Sequence, residues 1–489
     1  VLVIATGADV SLNLSDASLL GELIQVWENR RARNLLRTVY YDGEAALRDF
    51  GISLPPQMRS IETALGWTAK GVNAVTDRSK FEAFVSPAGS EDPFDLEGVM
   101  YENRFRSEFP QAKVSSAVHG CSFLTVSSGD VQSGEPSVLV LARSADDSAA
   151  LWDRRRRAIK AFLSVVDVDV ANQPTAMVMY TPEKVVTLTK GARSWSADVR
   201  RNPLGVVSVA PLVYKPELKR PFGHSRITRA SMGFVDSALR TIVRAEVSAE
   251  FYSAPEYWLF GADVSAFQGS DKWTAVMGRI KALETDSNSA GDKPDLHRFA
   301  GASPQPHTDQ LRMWANLFAD DQDMDVKFAD SANPSSADAI FAAKETLITV
   351  TRDANTVWAQ GAVEAMTLAV RLRDGLDSVP DDLRRLSAQS TDPAVVSPSA
   401  QADAFVKKAA AIPELAGTEV GLEMAGFSRE QISRYLAEVR RNQAGSRLTQ
   451  LVEAARGLRS GDSGAGGGVP SGESVSDGAG SSAATGLSL

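Results

Sequence analysis

The chain has 489 residues, 43% of them hydrophobic, with 52 Lys and Arg against 61 Asp and Glu and a formal net charge of −9. That length supports roughly two to four structural units around sizeable cores, and the single cysteine, Cys121, excludes a disulfide framework or a cysteine-ligated zinc finger. The acidity argues against a protein that grips DNA by its phosphates, and no run approaches the roughly 20 apolar residues of a membrane span.

The first twenty residues hold Asp9 and Asp16 and lack a basic head followed by an apolar core, so they do not read as a secretory signal. Residues 18–40 place Leu19, Leu20, Leu23, Val26, Trp27, Leu35 and Leu36 at helical spacing, and Asp42-Gly43 ends that helix. Pro55-Pro56 breaks the chain before a further mixed helix expected over residues 61–81. From 114 to 215 the period changes. Short β-prone runs at 122–126, 137–142, 158–166, 176–180, 184–189 and 206–214, separated by turn residues, predict an antiparallel meander.

Helix returns at Ser225, where Ile227, Phe234, Val235, Ala238, Leu239, Ile242, Val243 and Val247 form one stripe running to about 250. A compact aromatic-bearing stretch, 257–306, precedes a shorter helix over 308–319. An acidic interruption follows, and then a long helix over 334–373, signposted by Asn333 as N-cap and Pro334 as first helical residue. Leu383 to Gln389 reads as a returning strand, and 402–458 as helical, with a capping box at Ser428-Arg-Glu-Gln431. Residues 460–489 contain nine Gly, eight Ser and no Lys or Arg, which predicts a disordered tail.

Enzyme signatures are missing. There is no Gly-x-x-x-x-Gly-Lys-Ser/Thr loop, no His-Glu-x-x-His and no Gly-x-Ser-x-Gly. His119, His224, His297 and His307 are too scattered for a metal site. His119-Gly-Cys121 reads as a strand-entry histidine beside a buried cysteine rather than a catalytic pair. Arg154 to Arg157 form the one dense basic cluster, expected to be a solvated turn balanced by Asp146, Asp147 and Asp153. Asp320, Asp321, Asp323, Asp325 and Asp330 fall within eleven residues, opposed only by Lys327. In isolation they read as a polar interhelical loop, and the spacing fails for an EF-hand.

Several segments in order carry a resemblance: Asn202-Pro-Leu-Gly205, Val209-Ala-Pro-Leu-Val213, Arg220-Pro-Phe-Gly-His-Ser-Arg-Ile227 and Ala249-Glu-Phe-Tyr-Ser-Ala-Pro255. Gly301-Ala-Ser-Pro-Gln-Pro-His-Thr-Asp-Gln-Leu311, Asn333-Pro-Ser-Ser-Ala-Asp-Ala-Ile-Phe-Ala-Ala-Lys-Glu345 and the early Tyr40-Tyr-Asp-Gly43 belong to the same set. Together, over about 20–458, they resemble portal proteins of tailed double-stranded DNA phages of the long-tailed type. The resemblance implies an α+β portal fold with an α/β wing, a two-helix stem, a small clip insertion, a long wing helix and a helical crown. The wing would occupy 1–220, the first stem helix 221–250, the clip 251–305, the second stem helix 306–319 and a tunnel loop 320–333. The long wing helix and its return would take 334–401, the crown 402–459 and the Gly/Ser tail 460–489.

The same resemblance implies a homo-oligomeric ring, typically of twelve subunits, at the portal vertex of a virion, made in the bacterial cytoplasm. It would be a conduit for packaging and ejection, with no cofactor and no enzymatic activity of its own. Its partners would be major capsid and scaffold proteins, the terminase large subunit, the head–tail connector and double-stranded DNA passing non-specifically, with no membrane. Asp320, Asp321, Asp323, Asp325, Lys327 and Asp330 would line the tunnel, and Tyr257, Trp258 and Trp273 would meet partners at the clip. The charge then divides unevenly, with −3 in the tail and −4 in residues 320–330. Two rivals stay open: another virion structural protein, such as a head–tail adaptor or minor capsid protein, and an enzyme using Arg154 to Arg157 as a phosphate site, for which no general base is evident.

Overall fold

The computed structural model describes residues 12–44, 63–86, 92, 94–192, 194–252, 256–260, 280–283, 295–299, 303–324, 337–394 and 398–460. It divides into two compact units, 1–395 and 396–489. The fold is mixed α and β, as expected.

Helix α1 (Leu14–Asp42) opens on Asn13, whose side chain accepts from the Asp16 N–H at 2.8 Å, and stops at Gly43, which adopts φ 76°. Glycine suits that left-handed stop because it has no Cβ to clash. Leu20, Leu23, Ile24 and Trp27 form the buried stripe. After α1 come α2 (Trp67–Thr76), β1 (Phe81–Val85), α3 (Leu96–Glu102) and α4 (Phe105–His119). The expected helix over 61–81 is thus shorter. Phe81 begins a strand, because its antiparallel partner β13 (Ser387–Ser390) lies some 300 residues away, beyond any local pattern.

The β region holds β2 (Cys121–Ser128), β3 (Val138–Ser144), β4 (Ser148–Asp153), β5 (Ala158–Val168), β6 (Pro174–Tyr180), β7 (Lys184–Lys190), β8 (Trp195–Arg201) and β9 (Val209–Val213). The single expected meander is in fact two sheets. The strands β4 to β8 form a five-stranded antiparallel meander, whereas β2 pairs with both β3 and β9 in a separate sheet. β4 and β8 are additional to the expected runs. Within the meander β5 is buried on both faces: Ala161, Leu163 and Val165 meet α1, while Phe162 packs toward Phe123 of the other sheet. Burial on both faces explains why apolar residues fill successive positions 161–163 of β5 instead of alternating.

Helix α5 (Arg229–Tyr252) leads to three short strands, β10 (Glu256–Phe260), β11 (Ile280–Leu283) and β12 (Asp295–Phe299). β10 is central, parallel to β11 and antiparallel to β12. Then come α6 (Gln305–Asp321), α7 (Ala337–Asp374) and α8 (Asp381–Arg384), before β13. The long helix α7 has 38 residues, about 57 Å at 1.5 Å per residue. It lies on the β3-β2-β9 sheet. Gly361 lets it approach closely, since a Cβ there would collide with the Pro211 carbonyl oxygen of β9. Trp358 of the same helix is buried, donates from Nε1 to Ser116 Oγ at 3.0 Å and stacks on Tyr214 with centroids 6.0 Å apart.

The second unit is helical: α9 (Pro398–Ala411), α10 (Glu419–Met424) and α11 (Arg429–Ser460). The capping box forms as read. Ser428 N–H donates to Gln431 Oε1 at 2.9 Å and Gln431 N–H to Ser428 Oγ at 3.3 Å. α11 continues well past Asn442. The Asn333-Pro334 helix start and the Gly/Ser tail beyond Ser460 lie outside the described residues.

Candidate functional site

α5 and α6 are antiparallel, because the segment entering α5 meets the end of α6. Phe234 near the start of α5 stacks on Trp314 of α6 with centroids 6.4 Å apart. Thr228, just before α5, donates to Asp321 Oδ2 in the last turn of α6 at 3.2 Å. The helices thus form a pair closed at this base, with the three-stranded insertion in the chain between their other ends.

Arg226 organises the base. It is 4% exposed and its guanidinium fans out to three acceptors. Nε donates to the Gly71 carbonyl at 2.7 Å, Nη1 to Tyr214 Oη at 2.9 Å and Nη2 to the Gln322 carbonyl. Gln322 returns the contact, donating from Nε2 to the Arg226 carbonyl at 3.1 Å and to Asp321 Oδ2 at 2.7 Å. Asp323, in left-handed backbone at φ 51°, lies 3.9 Å from Arg226 Nη1 and 3.9 Å from Lys215 Nζ. Gly71 leaves room for the Gln322 side chain: a Cβ there would sit 2.7 Å from Gln322 Oε1 and make that side chain shift. A planar fork with fixed donors suits such a junction, where one buried cation must satisfy two backbone carbonyls and a phenolic oxygen. The base therefore links α2, the residue after β9, the entry to α5 and the exit of α6.

This geometry divides the acidic segment. Asp320 and Asp321 belong to the last turn of α6 rather than to a loop. Asp321 and Asp323 are engaged within the chain, whereas Asp320 is exposed. Asp325, Lys327 and Asp330 lie outside the described residues. Tyr257 and Trp258 are on β10, and Trp273 lies outside the described residues. Among the described residues no group of three or more His, Cys, Asp or Glu could hold a metal, and no helix is long and apolar enough to cross a membrane.

Sequence reasoning missed three buried polar centres. Arg226 is one; its position inside a quoted motif was the available signal. At the second, His119 Nε2 meets Asp146 Oδ2 at 3.2 Å, and Thr38 Oγ1 donates to the same oxygen at 2.9 Å. Burial raises the Asp146 carboxyl, but the His119 and Thr38 hydrogen bonds and the charges of His119 and Arg37 outweigh it and hold the group below its usual range. Arg37 donates to the His119 carbonyl at 2.7 Å, and burial with neighbouring Arg33 pushes it down to about 10. Cys121 opens β2 as a buried thiol pushed up to about 12 by burial, which makes it unreactive. The third centre is Lys113, buried against Phe109 and Trp358 and donating to Ser79.

The chain is 27% identical over 400 residues to the portal protein of Mycobacterium phage D29, covering 79% of this chain and 81% of that one. It is likewise 27% identical over 399 residues to the portal protein of Mycobacterium phage L5, covering 79% and 80%. A solved structure described as the neck of a native GTA particle computed with C12 symmetry aligns with 79% of this chain and 98% of its own, at 12% identity and a TM-score of 0.39, a likeness slighter than the sequence matches. The model of the family described as "Phage portal protein, SPP1 Gp6-like" matches residues 22–444. The chain belongs to that family of phage portal proteins.

Proposed function

We propose that this portal protein forms a closed ring at one capsid vertex, in which each part of the chain takes a separate duty. The ring is the conduit for packaging and ejecting DNA and the place where the packaging motor and then the tail dock. The observation that carries the assignment of parts is the order of elements: an antiparallel helix pair, α5 and α6, interrupted by a small sheet and followed by an acidic segment and the 38-residue α7. In this reading α5 and α6 are the stem and β10 to β12 belong to the clip. The segment after α6 is the tunnel loop, α7 crosses the wing, and the helical second unit is the crown. The five-stranded meander, the β3-β2-β9 sheet and α1 make the wing body.

The role is structural rather than enzymatic. The ring closes with twelve subunits through heterologous contacts, so its two lateral faces differ. Capsid and scaffold proteins surround the wing. The terminase large subunit and the head–tail connector meet the clip, where Tyr257, Trp258 and Trp273 supply contact area.

The lumen-facing charge falls to Asp320, Asp325 and Asp330, with Lys327 among them, since Asp321 and Asp323 are tied into the stem base. A carboxylate about 10 Å from a phosphate repels it by about 0.4 kcal/mol in water, before salt screening. That is too weak to stall a motor, yet repeated around a ring it keeps DNA from adhering. An acidic chain is therefore compatible with handling DNA. Neutralising Asp320, Asp325 and Asp330 to Asn leaves rings intact and changes packaging or retention of DNA in an in vitro packaging assay. Packaging indistinguishable from the parent would count against the assignment.

A further inference from the structure

Arg154 to Arg157 fill the turn between β4 and β5, and all four are exposed. The turn is built rather than loose. Asp153 Oδ1 accepts the N–H of Arg155 at 2.8 Å and of Arg156 at 3.1 Å, and Arg157 closes it at φ 53°. Beneath it, Trp152 packs edge-on to Phe222 with centroids 5.6 Å apart. The first β5 residue paired with β6 is Phe162, so the hairpin projects beyond the rest of its sheet.

The charge there is unmatched. Asp146 and Asp147, expected to balance the arginines, lie at the far end of β4, roughly 20 Å away at 3.3 Å per residue. Asp146 is moreover engaged by His119 and Thr38. Of these three aspartates only Asp153 remains beside the four guanidinium groups, none of which has an ion-pair partner among the described residues, although the neighbouring β6–β7 turn carries exposed Glu183. Exposed Lys160 adds to the same tip, and Arg201 ends β8 at the same end of the sheet.

We propose that this turn is a contact point for the phosphate backbone of double-stranded DNA, separate from the acidic passage. The proposal rests on the portal reading, which supplies the DNA. Guanidinium groups stay charged at any working pH and match phosphate oxygens with paired donors. A protein partner is the poorer fit, because the desolvated core of a protein interface is depleted of charge and every exposed residue of the turn is charged. The contact carries no sequence preference, since it reaches phosphates and not base edges. One surface thus lets DNA slide while another holds it.

The test uses assembled full-length protein and a short random-sequence duplex, with binding followed by fluorescence anisotropy between about 50 and 200 mM salt. Each phosphate contact contributes about 0.9 to the slope of log affinity against log salt. Changing Arg154 to Arg157 together to Gln makes the slope shallower by about 2 to 4 and weakens low-salt binding at least about tenfold. The Lys version of all four keeps most of the slope. Equal affinity and slope in the Gln variant overturn the proposal. So does an unchanged slope with rings that no longer close, which would assign the tip to carboxylates of a neighbouring subunit. Parent protein that forms no ring is a failure of the portal reading itself, visible by imaging before any DNA is added.

Discussion

Arg226→Ala is the sharpest perturbation of the stem base. It removes three charge-assisted hydrogen bonds and leaves the Gly71 carbonyl, the Gln322 carbonyl and Tyr214 Oη without their donor. Each such bond is worth about 1.5–3 kcal/mol, but removing the arginine also removes its desolvation cost, which offsets part of the sum. Deleting one member of a buried charged network typically costs about 3–5 kcal/mol, and that range is expected here. In a unit of this size it lowers the melting temperature by roughly 5 °C. Urea titration of parent and variant measures the shift in midpoint. Hydrogen exchange localises it to Gly71, the entry of α5 and the end of α6. Arg226→Lys retains the charge but not the planar fork, so it recovers about half of the loss. A change below about 0.5 kcal/mol, the range of ordinary surface substitutions, would refute the view that Arg226 holds the base together.

Other outcomes follow from single positions. Gly361→Ala forces α7 off β9 and costs about 1–3 kcal/mol, whereas Gly233→Ala in α5, which meets open space, gains about 0.5–1 kcal/mol; thermal melts distinguish the two signs. Burial depresses the Lys113 amine to about 8, so between that value and its unfolded value near 10.5 the unfolded chain binds more protons and stability rises with pH. Parent protein therefore gains up to about 3 kcal/mol over that window relative to Lys113→Met, and a parallel pH profile for the two would contradict the assignment. Asp321→Asn weakens the Thr228 contact and lowers stability by about 1 kcal/mol, while Asp320→Asn, exposed on the same turn, stays within about 0.5 kcal/mol in the same melts.

Much of this was legible in the residues. The stripe of α1, the Gly43 stop, the stripe of α5, the order of helix, insertion and helix, and the capping box at Ser428 all follow from local chemistry that needs no distant partner. The division of the β region into two sheets was not legible, because strand pairing between β2 and β9 is decided across some 85 residues. Phe81 failed for the same reason, as its strand exists only through β13. The acidic segment was visible as composition, but composition cannot say that Asp321 and Asp323 are engaged by Gln322, Thr228, Lys215 and Arg226 while Asp320 is free to face solvent. Arg154 to Arg157 show the converse: proximity in sequence suggested neutralisation, and six residues of extended strand carried Asp146 and Asp147 away.

The duties proposed for stem, clip, wing and crown all depend on this chain assembling as a portal ring. Negative-stain imaging of the purified protein, paired with native mass spectrometry, tests it directly. Closed rings with a central hole are expected, with a mass that is an integral multiple of the 52.3 kDa chain and twelve copies the proposed number. A protein that remains monomeric over the concentrations used for assembly, or that forms open filaments without a central channel, would contradict it.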